Sequence, residues 1–425
     1  MHSKMNNKIN QLTENTLVVG IDIAKCVHYA CFVDERGRVI EKAFAVHQSK
    51  EGFESLYKKI RQTMLETQKM EVIVGIEPTG HYWMNLAYFL DQYGIPLVMV
   101  NPMHVKRSKE LDDNLQTKND KKDALVIARL MKDGRFSYPR LLKEIEAELR
   151  IGSTLRSKLT EDLASIKNRI RRWLDRYFPE FTRVFPTFGK MALAALEKTP
   201  MPQELQGKTA EELVFLYRQV GGMKAPQLPK AKLLIEAATN SIGLTEGAQM
   251  AKHEIATLLR QYRLLETEIE EVNNRLAEMA KTTNDYDVLA SVPGLGDATI
   301  VDLLSEVGSF SLYENPRQLI KLAGLTIREN SSGQHKGQKH ISKRGRKKLR
   351  YILFKVIVPL IRHNQAFKHL HEYYTTRKQN PLRGKQSMVV LCGKLLKVLH
   401  GICKKKVYFN EKAMMKDLYC LGEAA

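Results

Sequence analysis

Four carboxylates stand where a carboxylate is costly or where two share one face. Asp22 lies in the middle of the apolar run Leu17-Val-Val-Gly-Ile-Asp22-Ile, and a buried carboxylate needs a partner or a cation. Glu77 ends a second apolar run, Glu71-Val-Ile-Val-Gly-Ile-Glu77, just before the break Pro78-Thr79-Gly80. Asp120 and Asp123 lie one helical turn apart near the start of a predicted helix, so both project from one face. Each has an ordinary explanation alone: Asp22 closes a turn, Glu77 pairs with a lysine, Asp120 caps a helix. As a set they are oxygen ligands suited to one or two hard divalent cations, Mg²⁺ or Mn²⁺.

A second group lies late in the chain. Ser331 to Arg350 holds eight cations, Lys336, Lys339, Lys343, Arg344, Arg346, Lys347, Lys348 and Arg350, and no acid. Lysine and glycine in such a run suit phosphate contact more than the reading of base edges. Ser331 and Ser332 precede Gly333. A serine there is ordinarily a turn residue, although the neighbouring cations would also bring a DNA phosphate to its hydroxyl. Upstream, Pro293-Gly294-Leu295-Gly296 joins two short helical patterns in the manner of a helix-hairpin-helix. The backbone N–H groups of Gly294 and Gly296 would approach a phosphate, or the turn is simply interhelical. The formal net charge of +21 points to a polyanionic partner.

Several classes are excluded. The five cysteines, at 26, 31, 392, 403 and 420, form no C-x-x-C pair, which argues against zinc and for reduced thiols, most of them buried. Gly207-Lys208-Thr209 imitates a P-loop, but Pro202 occupies its first glycine and no strand precedes it. There is no zinc finger, basic zipper or convincing helix-turn-helix. No apolar run reaches the ~18 residues of a membrane helix, and Met1 to Asn15 lacks the apolar stretch of a signal peptide. The expectation is a cytoplasmic protein without membrane contact.

The elements that must position these residues follow from periodicity. Strands are predicted at Leu17–Ile23, His28–Val33, Arg38–Phe44, Glu71–Glu77 and Pro96–Val100, with the turn Asp34–Gly37 between the second and third. Helices are predicted at Glu54–Glu66, Tyr82–Tyr93 and Asn119–Lys132, the last stopped by Gly134. A hairpin followed by alternating strands and helices gives an α/β domain with a mixed sheet. Two long amphipathic helices follow: one series runs Leu159, Leu163, Ile166, Ile170, Trp173, Tyr177, the other from Ile255 to Met279. The second keeps a heptad and predicts a coiled coil, within one chain or between chains. Glu180 to Thr245, with its prolines, has no readable period. Apolar helices at Leu349–Leu360 and Ser387–Ile402 would pack the last part. The resulting division is a flexible N-terminus at 1–16, a catalytic domain at 17–140, a helical linker at 141–284 with an insertion at 180–245, a C-terminal nucleic-acid-binding domain at 285–410 and a tail at 411–425.

The hairpin-then-alternating pattern resembles the RNase H-like (RuvC-like) fold. Gly20-Ile-Asp22-Ile-Ala-Lys, Gly75-Ile-Glu77-Pro-Thr-Gly, Asn101-Pro, Lys118-Asn-Asp120-Lys-Lys-Asp123-Ala and the late Ser-Ser-Gly…Ile-Ser-Lys-Arg-Gly occur in that order. With them the chain resembles the DEDD-type transposases of the insertion-sequence 110 family. The resemblance implies a RuvC-like domain, a coiled-coil linker and a mostly helical transposase domain, with Asp22, Glu77, Asp120 and Asp123 as a tetrad holding about two metal ions. It also implies that a serine, matching Ser332 before Ser331, attacks DNA and forms a phosphoserine link. A structured noncoding bridge RNA would pair with donor and target DNA, and protomers would assemble as dimers and then a tetramer. The rival readings are a RuvC-like nuclease or junction resolvase that uses water, and a non-catalytic nucleic-acid-binding protein.

Overall fold

The computed structural model describes residues 2–112, 120–220, 226–328, 331–332, 335–336 and 339–415. At residues 2–4, 110–112, 120–121, 331–332 and 335–336 it describes the backbone alone. The chain divides into two compact units, Met1–Leu142 and Lys143–Ala425.

The first unit is built on one mixed sheet. Its strands are β1 (Thr16–Asp22), β2 (Val27–Val33), β3 (Val39–His47), β4 (Glu71–Ile76), β5 (Leu97–Val100) and β6 (Phe136–Ser137). They lie in the order β3-β2-β1-β4-β5-β6. β1 is antiparallel to β2 and parallel to β4, and β5 is parallel to β4. This arrangement is compatible with an RNase H-like fold.

Alternation along the strands sorts the core into two layers. Leu17, Val19, Ile21, Val74 and Ile76 pack with the helices Lys50–Glu66 and Trp83–Gln92 on one face. Val18, Ile73, Val98 and Val100 face the helix Asp120–Lys132 on the other. That helix lies almost on the sheet backbone. A Cβ built on Gly20 would stand 2.2 Å from the Ala124 carbonyl oxygen and 2.6 Å from the Ala128 nitrogen, and one on Gly75 would stand 2.0 Å from Met131 Sδ. Gly20 and Gly75 are register partners, so together they form the groove that admits the helix.

Three expectations for this unit are refined. Asp22 is the last residue of β1, not a mid-strand residue, and Glu77 lies one residue beyond β4. Both strands give way to turns there, so the carboxylates stand at the sheet rim. The expected flexible N-terminus carries the helix His2–Ile9, and Leu12 packs against the core beneath the helix Asp120–Lys132.

In the second unit the helices Glu144–Tyr177 and Ala248–Lys281, each of 34 residues, run antiparallel within the one chain. Trp173 Nε1 donates to the Ala251 carbonyl at 2.9 Å, while Arg156 Nη1 reaches Asn273 Oδ1 at 3.1 Å toward the other end. The stretch without readable period is helical. Lys190–Lys198, Ala210–Arg218 and Leu228–Thr239 pack with the tips of the long helices around Trp173, Tyr217 and Tyr262. These helices are short and buried against one another, which leaves no extended amphipathic stripe to detect. Thr209 is the N-cap of one of them, in a capping box with Glu212, and that role accounts for the P-loop imitation.

Asp297–Val307, Lys347–His363, Gln365–Thr376 and Gly384–Lys405 form a second helical core with the other ends of the long helices. Gly384–Lys405 is long and apolar enough to cross a membrane by composition, but half of its most apolar window is buried in this core. Met414 and Met415, in the expected tail, are buried there too. Cys31, Cys392 and Cys403 are buried and Cys26 is exposed; Cys420 lies outside the described residues.

Candidate functional site

The parallel register Ile21↔Ile76 brings Asp22 and Glu77 off adjacent strands at the same level. By alternation both point to the face of Gly20 and Gly75, which the helix Asp120–Lys132 covers. Asp123, in the first turn of that helix, is buried at 6% exposure. Its carboxylate accepts an ion pair from Lys109, on the helix Pro102–Asp112. Glu77 feels the same neighbours. Burial raises its carboxyl above the ordinary range, the Lys109 ammonium lowers it, and the Asp123 charge raises it further. Glu77, Asp123 and Lys109 are therefore one electrostatic cluster at the end of β4, with Asp22 in register beside it.

This donor set fits a hard cation, being all carboxylate oxygen and already attended by one cation, Lys109. Among the described residues no group of three or more potential ligands is drawn close enough to hold an ion. The side chain of Asp120, on the same helix face as Asp123, lies outside what is described, as do Lys118 and Asn119. Sequence reasoning missed Lys109, Gly20 and Gly75. The signal for the glycines was present: the tripeptide Gly-Ile-acid occurs at both strand ends, at 20–22 and 75–77.

The late basic stretch belongs to the second unit. Ile327–Arg328 (β7) pairs with His340–Ile341 (β10), and within that ladder Ser331–Ser332 (β8) pairs with His335–Lys336 (β9), Ser332 opposite His335. The side chains of Ser331, Ser332 and Lys336 and all of Gly333 lie outside the described residues. The other cations fall into two groups. Lys339, Lys343, Arg344 and Lys347 are exposed. Arg346, Lys348 and Arg350 hold the base of the arm. Arg346 donates to the Glu306 carbonyl, Lys348 Nζ to the carbonyl and hydroxyl of Ser153 at 3.1 and 3.0 Å, and Arg350 Nη1 to the Ala323 carbonyl at 3.0 Å. Burial lowers the Lys348 ammonium from its usual value, against the pull of Glu306 and Asp302.

Gly294 and Gly296 sit between the helices Tyr286–Ala290 and Asp297–Val307. Gly294 has φ +98° and packs on Leu360, which would meet a Cβ at 2.9 Å. Gly296 caps the second helix. The carboxylate of Asp297, accepting from the Tyr286 hydroxyl at 2.8 Å, adds negative charge to the helix start at which a phosphate was expected.

Comparison with known proteins covers the same two regions. A family model for the DEDD domain of IS110 elements, described as a transposase, matches residues 19–179. A second, described as the transposase IS116/IS110/IS902 family, matches residues 286–372. The chain is similar to the uncharacterized 44.8 kDa protein of insertion element IS116 from Streptomyces clavuligerus, at 24% identity over 399 residues, 92% of this chain and 96% of the relative. It is 23% identical over 351 residues to the transposase for insertion sequence element IS1111A of Coxiella burnetii, covering 81% of this chain and 78% of that one. It is 23% identical over 401 residues to the pilin gene-inverting protein of Moraxella bovis, covering 93% and 98%. Both family domains occur in order along one chain, and the likeness to insertion-element proteins runs nearly end to end: the chain belongs to the IS110 family of transposases, enzymes that recombine DNA.

Proposed function

We propose that the chain cleaves and rejoins DNA at the ends of an insertion sequence through two chemical centres. Asp22, Glu77, Asp120 and Asp123 form the metal-holding centre of a RuvC-like domain at 17–140, and Ser332 is the nucleophile of a transposase domain at 285–410. The observation that carries the reading is the pair of in-register strand ends, Asp22 and Glu77, beneath a helix whose first turn presents Asp123. Mg²⁺ or Mn²⁺ bound there, about two per site, supplies charge stabilisation to the attacking and leaving oxygens of a phosphodiester. The chain's own residues do the rest. The carboxylates fix the spacing of the site, and Lys109 balances their charge. The exposed cations of the arm hold the DNA backbone, and Ser332 Oγ attacks phosphorus.

In that step the serine O–H bond and one P–O bond to deoxyribose break, a serine–phosphate ester forms, and the departing sugar oxygen takes up the proton. Attack by the hydroxyl of a second strand reverses it. One phosphodiester is exchanged for another, so the balance requires no nucleotide hydrolysis.

Sequence selection falls to a structured noncoding bridge RNA that pairs with donor and target DNA. The arm's Lys- and Gly-rich composition suits phosphate contact. The long helices serve as the coiled-coil linker of a dimer that joins a second dimer on DNA, in the cytoplasm. The test uses full-length protein, RNA and nicked DNA. Asp22→Asn or Asp123→Asn abolishes cleavage while nucleic-acid binding persists, and Ser332→Ala abolishes the covalent protein–DNA adduct. Normal recombination by an Asp variant overturns the metal centre. An adduct lost in Ser331→Ala but kept in Ser332→Ala moves the nucleophile by one residue, and no adduct in the wild type favours a nuclease that uses water. Site-specific recombination by RNA-free protein returns specificity to the polypeptide.

A further inference from the structure

His28 is fully buried, yet it takes no place among the carboxylates. It lies on β2 on the opposite face of the sheet, where its ring stacks on Phe53 with centroids 6.2 Å apart. Its Nδ1 accepts from the Ala24 backbone N–H at 3.1 Å. That bond assigns the tautomer: Nδ1 carries no proton, so Nε2–H donates to Gln48 Oε1. With its oxygen facing the ring, the Gln48 amide nitrogen donates to the Tyr82 carbonyl at 3.0 Å. Gln48 is itself pinned by its backbone N–H, which donates to the Cys26 carbonyl at 2.9 Å.

The two ends of this chain of bonds are the turns that follow the carboxylates. Ala24 lies two residues after Asp22, and Tyr82 lies five after Glu77. Strand pairing holds β1 against β4 only as far as Ile21↔Ile76. Beyond that pair the Ala24–His28–Gln48–Tyr82 relay ties the two departing turns together.

The geometry points to His28 and Gln48 as positioning residues that set the separation of Asp22 and Glu77 from behind the sheet, and so the fit of the site to a divalent ion. The inference rests on the carboxylate reading above. A metal site depends on the partners that orient its ligands, and losing one typically costs about 10- to 100-fold in affinity.

The test titrates Mn²⁺ into the full-length protein, reads free Mn²⁺ by electron paramagnetic resonance, and follows thermal unfolding of the same samples. Gln48→Leu cuts both side-chain links at a half-buried position and is expected to weaken Mn²⁺ binding about tenfold while the protein stays folded. Gln48→Glu keeps an acceptor for His28 but cannot donate to Tyr82, and is expected to weaken binding nearly as much. The double variant His28→Leu/Gln48→Leu binds no more weakly than the poorer single one, because a relay broken once is broken. Should His28→Leu fail to fold, the two Gln48 variants decide alone. Asp22→Asn is the control. If it loses Mn²⁺ while Gln48→Leu binds like wild type, the relay has no positioning role and the carboxylate site stands. If Asp22→Asn also binds like wild type, the site itself is wrong and the relay inference falls with it.

Discussion

Two of the proposed metal ligands, Asp22 and Glu77, stand at the ends of strands of seven and six residues, whereas the two serines stand on a strand of two. β1 is paired on both sides, and the helix behind it leaves no room for a side chain at Gly20. The arm is a pair of two-residue ladders anchored at its base by Arg346, Lys348 and Arg350. The difference matches two demands. Metal ligands require spacings held to fractions of an ångström, which a buried sheet supplies. The proposed serine nucleophile would have to take up a DNA end and pass it on, which asks for cations that contact the DNA backbone more than for fixed spacing. The first region should therefore fail by losing geometry, and the second by losing affinity.

The sharpest way to break that contrast is at the helix–sheet contact. Gly20→Ala drives a methyl into backbone atoms of the helix Asp120–Lys132, which cannot move without carrying Asp123 with it. The expected cost is about 3 kcal/mol, with loss of recombination, because overpacking against backbone finds no cheap relief. Gly75→Ala meets only the Met131 side chain, which can rotate away, so about 1 kcal/mol and retained activity are expected. Denaturant unfolding and a recombination assay check both. Equal effects would show that the close approach at Gly20 does not hold the site.

The same contrast explains what was legible beforehand. Five strands and three helices of the first unit follow from apolar runs and breakers, whereas the helices His2–Ile9 and Pro102–Asp112 and the short strand Phe136–Ser137 gave no such signal; Asp22 and Glu77 stood out as acids in or beside apolar runs, and Asp120 with Asp123 as a pair one turn apart. That Asp22 and Glu77 end adjacent strands beneath the helix of Asp123 was not legible from spacing, because it depends on a register and on a helix docked on two glycines far apart in sequence. Lys109 gave no signal in a chain with so many lysines. The stretch 180–245 was opaque because its helices are short: the buried stripes Ala210, Leu213, Tyr217 and Ala231, Leu234, Ala238 each span only about two turns between prolines. In the basic run, composition could not separate cations that hold the arm from cations that face solvent. Arg346 and Lys348 differ from Lys343 and Arg344 only in lying near Glu306 and Ser153, which are distant in sequence.

That separation is the next and smaller test. Arg346→Gln and Lys348→Met remove donors to buried groups and are expected to cost about 1–2 kcal/mol each. They should change the salt dependence of nucleic-acid binding little. Lys343→Gln and Arg344→Gln are expected to leave stability within about 0.5 kcal/mol. Each lowers the slope of log affinity against log salt by about one. Melting curves and binding at several salt concentrations separate the pairs. If all four variants shift the salt slope alike, the basic run acts as one undivided patch, and the contrast between cations that hold the base and cations exposed on the arm fails.

The smallest expected effect concerns pH. His28 is buried as the neutral tautomer, and desolvation lowers its protonation below the usual histidine value, outweighing the bonds to Gln48 and Ala24. Protonation would set an N–H against the Ala24 N–H, so the charged form has no place in the relay. The sign follows from which state takes up the proton first. Above about pH 6.5, the ordinary histidine value, both folded and unfolded chains hold the ring neutral and its contribution is complete. As pH falls, the unfolded chain is protonated before the folded one, so stability is lost progressively until the folded-state value is passed. Glu77 acts in the opposite sense: its carboxyl is raised, so the cost of its charge is absent in acid and grows as pH rises from the ordinary glutamate value to the folded-state value. The two are separated by comparing wild type with His28→Gln, in which Glu77 is unchanged. Between pH 7.5 and 5.5 the wild type should lose melting temperature more steeply than the variant, by a few °C, roughly the shift that about 1 kcal/mol produces in a domain of this size. Parallel curves would mean that His28 takes up its proton alike in the folded and unfolded chains, and a wild type that loses less than the variant would mean that the ring is charged in the folded chain; either outcome overturns the buried neutral tautomer assigned from Ala24.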